Sequence, residues 1–147
     1  MQSAIIRFFT IYLVGITGIW KAIPVGIALK STPLETAIFT ALGSITTVYL
    51  LYYFGETVKR WVLKKWDKNK LERKKGKFST IMDKYGVAGL GIICPGLFGP
   101  ITTIIVGLLI ISKTSRLMPY LVAGIILWSF LLTWAATTSV DLVKSWV

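Results

Sequence analysis

The sequence predicts an all-α integral membrane protein. We expect about three transmembrane helices, two re-entrant hairpins broken by proline and glycine and forming an inverted repeat, and a basic cytoplasmic amphipathic helical linker. Of 147 residues, 54% are hydrophobic and 16% charged, and the mean hydropathy is +0.70, which is too apolar for a soluble domain of this length. The apolar residues form separate blocks, some long enough to cross a bilayer and some interrupted by proline and glycine. Basic residues are concentrated between the blocks.

The first apolar block, residues 4–20, is short for a membrane span. We predict that it crosses, with Arg7 reaching back to one interface and Trp20 lying at the other. A cleavable signal peptide is the alternative. A single charge before the apolar stretch and the lack of an A-x-A-like cleavage site weigh against it.

The next two blocks differ in kind. Residues 22–29 are too few to cross and contain Pro24 and Gly26, which predicts a re-entrant hairpin broken at these residues. Residues 34–55 are long enough to span. This block begins with Glu35 in its first helical turn and ends at the interfacial aromatic pair Tyr52 and Tyr53.

The basic segment, residues 59–85, holds eleven of the 17 lysine and arginine residues and is predicted to be cytoplasmic. Two apolar stripes flank its most charged part and predict amphipathic interfacial helices. We therefore expect contacts with anionic lipid headgroups rather than nucleic acid, because no groove-reading motif accompanies the lysines. The candidate headgroup contacts are Lys59, Arg60, Lys64, Lys65, Lys74 and Lys75.

The block at residues 87–112 is interrupted at its centre by Cys94-Pro95-Gly96 and Gly99-Pro100. This pattern predicts a second hairpin of two half-helices, which would place Lys113 on the cytoplasmic side. One kinked crossing remains the alternative and would place Lys113 outside. Residues 117–138 form the last predicted span.

Each half of the chain thus contains a broken hairpin followed by a span. This pattern predicts a single membrane domain built as an inverted repeat, with residues 1–58 and 86–147 joined by the linker 59–85. Non-helical backbone at membrane depth must be packed in protein or line a wet cavity, so the breaks indicate a substrate site. The candidate substrate-binding residues are Lys21, Pro24, Gly26, Ser44, Pro95, Gly96, Gly99, Pro100, Thr102 and Thr103.

Small and hydroxyl-bearing residues recur at helical spacing in both long spans. These stripes predict either close helix packing with hydrogen bonds across the contact or the lining of a polar path. Their members are Thr36, Thr40, Gly43 and Thr47 in one span and Ser129, Thr133 and Thr137 in the other.

Residues 22–29, the pair Gly43-Ser44, the stretch 84–90 and the following Pro/Gly hairpin resemble the small multi-drug export protein family, which is related to DedA/VTT-like membrane proteins. The resemblance implies a multi-pass protein of a prokaryotic inner membrane with two opposed re-entrant loops. This chain diverges from the family pattern, because Gly18 and Trp20 occupy positions where the family usually has Glu and Arg.

The functional prediction is a transporter-like protein that moves a lipid-linked or amphipathic small molecule through a cavity between the hairpins. A non-transporting accessory or scaffold subunit of a larger membrane complex is the alternative, because the family's charges are missing. The chain has no histidine and one cysteine, Cys94, so we expect no enzyme activity, cofactor or metal site. Three spans and two hairpins form a thin shell, which favours a homo-oligomer or a complex subunit.

Overall fold

The computed structural model describes residues 2–111 and 113–146, and this part of the chain is helical with short connections. The predicted all-α class is confirmed. The helices are α1 (Gln2–Thr17), α2 (Ile19–Ala28), α3 (Pro33–Tyr53), α4 (Gly55–Lys65), α5 (Lys68–Phe98), α6 (Pro100–Ile110) and α7 (Leu117–Trp146), with a 3-10 turn at Thr114–Arg116 before α7.

Three helical segments are long and apolar enough to cross a membrane: Pro33–Tyr53, Lys68–Phe98 and Thr114–Leu142. This confirms a membrane protein, and the first and third segments match predicted spans. The predicted span at residues 4–20 is wrong as one helix. Helix α1 ends at Thr17, and Trp20 belongs to α2, because the chain breaks at Gly18.

The bend between α1 and α2 is made by Gly18, whose φ is 137° and ψ 152°. Side chains clash with the backbone in this region, so it is open essentially only to glycine. The predicted break at Pro24 and Gly26 is wrong, because both lie inside α2. A proline removes a single backbone donor, and helices in membrane proteins tolerate that loss.

The second bend lies within the predicted stretch. Gly99, with φ 84° and ψ 154°, separates α5 from α6, and Pro100 is the first residue of α6. A further break occurs inside α5 at Gly86, where φ is 69° and ψ −170°. The apolar part of α5, residues 87–98, is therefore about 18 Å long at 1.5 Å per residue, against a hydrocarbon core of about 30 Å.

The chain divides into two compact units. The first contains the chain up to Thr46 and from Ile126 onward, and the second contains Thr47–Ile125. Helices α3 and α7 each contribute residues to both units. The predicted repeat boundaries at residues 58 and 86 stay a prediction.

In the first unit, α1 and α3 cross at glycines. A methyl group added at Gly15 would lie 3.1 Å from the Thr40 carbonyl oxygen, and one added at Gly43 would lie 3.0 Å from the Gly15 carbonyl carbon. Contact between the backbones is possible only because no side chain separates them. Stacked rings of Phe8 and Phe39, 4.6 Å apart, extend this contact.

The second unit repeats this packing between α5 and α7. A methyl group added at Gly91 would lie 2.8 Å from the Tyr120 carbonyl carbon, and one added at Gly124 would lie 2.9 Å from Ile92 Cα. These glycines again allow two helices to approach at backbone distance.

The two bends and the helices around them share one glycine spacing. Three pairs of glycines are each separated by 81 residues. They are Gly18 and Gly99 at the bends, Gly26 and Gly107 in the following helices, and Gly43 and Gly124 at the crossings. Their packing partners follow the same spacing, because Gly26 faces Thr36 and Gly107 faces Leu117.

Candidate functional site

The first bend is tied to α3 by a buried hydrogen bond. The Gly15 carbonyl oxygen accepts from the Gly18 N–H at 3.2 Å and from Ser44 Oγ at 3.0 Å. Ser44 is fully buried. No side chain caps the start of α2, and the first N–H groups of any α-helix have no acceptor within the helix. The first N–H groups of α2 therefore lie at this bend without a side-chain acceptor.

The second bend is closed by hydrogen bonds to the two helices that it joins. The Gly99 N–H donates to the Pro95 carbonyl oxygen at 3.1 Å, and the Gly99 carbonyl oxygen accepts from Thr103 N at 3.1 Å and from Thr103 Oγ1 at 2.8 Å. Pro100 is the first residue of α6. The N–H that proline lacks would have no acceptor within the helix at this position, so no hydrogen bond is lost.

The ten candidate substrate-binding residues occupy different environments. Lys21 and Pro24 are exposed on α2, whereas Gly26 is buried against Thr36. Ser44 lies beside the first bend through its bond to Gly15. The remaining six belong to the second bend, where four are buried, Gly99 and Thr102 being half-buried: Pro95, Gly96, Gly99, Pro100, Thr102 and Thr103.

Four predicted stripe hydroxyls are buried without a hydrogen-bond partner: Thr36, Thr40, Ser129 and Thr133. All four belong to the first unit. The hydrogen bonds across helix contacts that the packing prediction requires are therefore not made by these hydroxyls. A buried hydroxyl left unpaired reduces stability by about 1–3 kcal/mol.

A cavity of about 670 Å³ lies in the second unit and was not predicted. It is lined by residues 52–57, Lys59, Leu108, Ile111 and residues 113–115. Its wall includes the cations Lys59 and Lys113 and the carboxylate Glu56. The one sequence signal for it was that Lys113 fell on the same predicted side as the basic segment.

Of the six predicted headgroup contacts, three are exposed and three are half-buried. Lys59 lines the large cavity, and Arg60 and Lys64 are exposed. Lys65 and Lys74 line a cavity of about 370 Å³.

Aromatic and acidic side chains accompany three of these lysines. Lys65 Nζ lies 4.9 Å from the centre of the Trp61 ring, and Lys74 Nζ lies 4.6 Å from that of Trp66. The Lys75 ammonium is 3.9 Å from Glu72. Paired lysine and tryptophan side chains are typical of a membrane interface.

The described residues bring together no group of three side chains of the types that hold metal ions.

The model of the small multi-drug export protein family matches residues 19–131 of this chain, well over half of its length. The chain belongs to this family. Searches of curated proteins and of solved structures found no significant match. The family match begins at the first residue of α2 and ends within α7, so it includes both α2–α3 and α6–α7.

Proposed function

We propose that this protein is a transporter of the multidrug-export type, which moves an amphipathic or lipid-linked molecule along two glycine-bent re-entrant hairpins. The observation that carries the proposal is the shared spacing of 81 residues between the glycines of the two bends, their following helices and their crossings. Paired interrupted segments in corresponding halves are typical of transporter folds, which bind substrate where such segments meet.

The second hairpin enters and leaves the membrane on one face in this proposal. Residues 113–115, after α6, line the same cavity as residues 52–57, before and within α4. A methyl group at Gly55 would lie 3.0 Å from Leu108, near the end of α6. A single crossing by α5 and α6 would separate these residues by a hydrocarbon core of about 30 Å, so their proximity supports a re-entrant hairpin.

The first hairpin then opens on the opposite face, because α3 crosses once between the two hairpins. The result is an inverted repeat in a prokaryotic inner membrane, with the basic segment 59–85 in the cytoplasm. The concentration of lysine and arginine in that segment supports this orientation. Because broken backbone at membrane depth must be packed in protein, we include a homo-oligomer in the proposal.

The chemistry of transport would rest on uncharged groups. Both bends lie at helix starts that no side chain caps, where backbone N–H groups carry partial positive charge that attracts a polar or anionic group. The four unpaired hydroxyls of the first unit gain partners when a polar substrate or water passes them. Their present burial fits a closed conformation of such a path.

Transport by the purified protein in liposomes tests the proposal. The assay measures the rate at which a fluorescent amphipathic cation or a fluorescent lipid-linked phosphate crosses the bilayer. It compares the bend variants Gly18→Ala and Gly99→Ala with the control Gly76→Ala. A side chain at Gly76 meets no atom within 4 Å, so this control keeps its rate. We expect at least about tenfold slower transport in the two bend variants, because their bends must change shape. Unchanged rates in both bend variants would contradict the proposal.

An accessory subunit of a larger membrane complex is the second candidate. The uncharged bends favour it, because ion-coupled transporters rely on ionisable groups inside the membrane. Cross-linking in native membranes distinguishes the two candidates. A subunit yields a stable heteromeric complex and no transport by the isolated protein, whereas a transporter is active alone.

A further inference from the structure

The cavity of the second unit, here called the headgroup cavity, combines three chain segments that are distant in sequence. The end of α3, the first turns of α4 and the segment after α6 all contribute to its wall. Its volume of about 670 Å³ is within the range of about 300–1,000 Å³ found for small-molecule sites. The space is therefore large enough for a specific ligand.

One group of the lining is electropositive. Lys59 and Lys113 come from different segments, and no ion pair within the described residues involves either of them. No side chain caps α4, whose first hydrogen bond runs from Val58 N to the Phe54 carbonyl oxygen. The N–H groups of the preceding turn therefore add partial positive charge. Two lysines beside an uncapped helix start fit a phosphate group.

A second group of the lining attracts a cation. The Glu56 carboxylate lines the cavity and forms no ion pair with any described residue. Tyr52, Tyr53 and Phe54 also line the cavity, and aromatic rings attract cations. A purely anionic ligand would bring its charge close to Glu56, and this repulsion reduces its affinity.

We propose that the headgroup cavity binds a phosphoethanolamine lipid headgroup. The phosphate lies against Lys59, Lys113 and the start of α4, and the primary ammonium lies against Glu56. This zwitterion satisfies both signs of charge in one wall. The tyrosines at the end of α3 mark the membrane interface, which is the depth of a lipid headgroup. The proposal does not require that the protein transports anything.

Native mass spectrometry of the full-length protein tests the proposal. The protein is released from nanodiscs containing equal amounts of phosphatidylethanolamine, phosphatidylglycerol and phosphatidylcholine, and the retained lipids are counted. We expect about tenfold preference for phosphatidylethanolamine over both others, which corresponds to about 1.4 kcal/mol. Equal retention of the three lipids would overturn the proposal.

Three variants identify the groups that act. Lys113→Gln should reduce retention of all three lipids, because the phosphate loses a partner. Glu56→Gln should remove the preference for phosphatidylethanolamine while keeping phosphatidylglycerol bound. Lys64→Gln is the matched control, because this lysine belongs to the same basic helix but does not line the cavity. Equal losses in Lys64→Gln and Lys113→Gln would indicate diffuse surface attraction and overturn the proposal.

A soluble competitor separates a lipid from a free phosphate ester. Glycerophosphoethanolamine should displace the retained lipid only at high excess, because it lacks the acyl chains that hold a lipid at the interface. Binding of this compound without retention of any lipid would assign the cavity to a soluble ligand and overturn the lipid proposal. Neither result affects transport by the hairpins, which is measured separately.

Discussion

The two bends, at Gly18 and Gly99, are both made by glycine but differ in the residues around them. Gly18 and Gly99 both have positive φ and a ψ near 150°. Proline, however, accompanies them differently. Pro100 directly follows the second bend, whereas Pro24 lies well inside α2 and is exposed. Glycine therefore makes both bends, and Pro100 marks one of them because it begins a helix, whereas Pro24 marks none.

The bends also differ in the hydrogen bonds that hold them. The first depends on another helix, because Ser44 of α3 donates to the Gly15 carbonyl oxygen. The second is closed by Thr103 of α6, the helix that follows the bend, which donates to the Gly99 carbonyl oxygen. Changes in α3 should therefore disturb the first bend through a direct contact.

The largest effect is expected at the helix crossings. Gly43→Ala and Gly124→Ala should each lower the free energy of unfolding by about 3 kcal/mol, because the new methyl groups meet backbone atoms that cannot move aside. Denaturant unfolding in detergent micelles measures this effect. The control Gly76→Ala should be neutral or stabilising by up to about 1 kcal/mol, because its methyl group meets nothing. Equal effects at all three glycines would refute the close crossings.

A smaller loss is expected at the bends. Gly18→Ala and Gly99→Ala should each lower the free energy of unfolding by about 2 kcal/mol from backbone strain alone, because no atom lies within 4 Å of the added methyl groups. Pro24→Ala should leave stability unchanged or raise it, since α2 already continues through this position. A larger loss for Pro24→Ala than for Gly18→Ala in the same unfolding assay would mean that proline makes the first bend.

The smallest effects separate a bonded from an unbonded hydroxyl on α3. Ser44→Ala should destabilise the protein by about 1 kcal/mol, because the Gly15 carbonyl oxygen loses a donor. Thr40→Val should be neutral or stabilising, because the removed hydroxyl has no partner. Thermal unfolding compares the two variants directly. If Thr40→Val also slows transport in liposomes, the hydroxyls line the path, whereas unchanged transport indicates packing.

Local sequence signals predicted much of the fold. Hydropathy and length identified the spans of α3 and α7, because burial in lipid selects apolar residues over a whole helix. The dense Pro/Gly stretch before Pro100 located the second bend. The first bend was missed because Gly18 is an isolated glycine, and its positive φ depends on tertiary structure rather than composition.

The sequence predicted less of the candidate site than of the fold. Lys59 and Lys113 are distant in sequence but both line the headgroup cavity. They lie there together because the end of α6 is close to α4. The hydroxyl stripes were predicted from helical spacing, yet spacing does not reveal which hydroxyls find a partner. Ser44 does and Thr40 does not, and this difference depends on the path of α1.

A re-entrant second hairpin would place the end of α6 on the same side of the membrane as the start of α4. Single cysteines at Thr57, Ser115 and Asp141, all exposed, are introduced after Cys94→Ala and labelled with a membrane-impermeant thiol reagent from each side. We predict that Thr57→Cys and Ser115→Cys react only from the cytoplasmic side and Asp141→Cys only from the other. Reaction of Ser115→Cys from the side opposite Thr57→Cys would show that α5 and α6 cross the membrane, and would contradict the re-entrant hairpin and the inverted repeat.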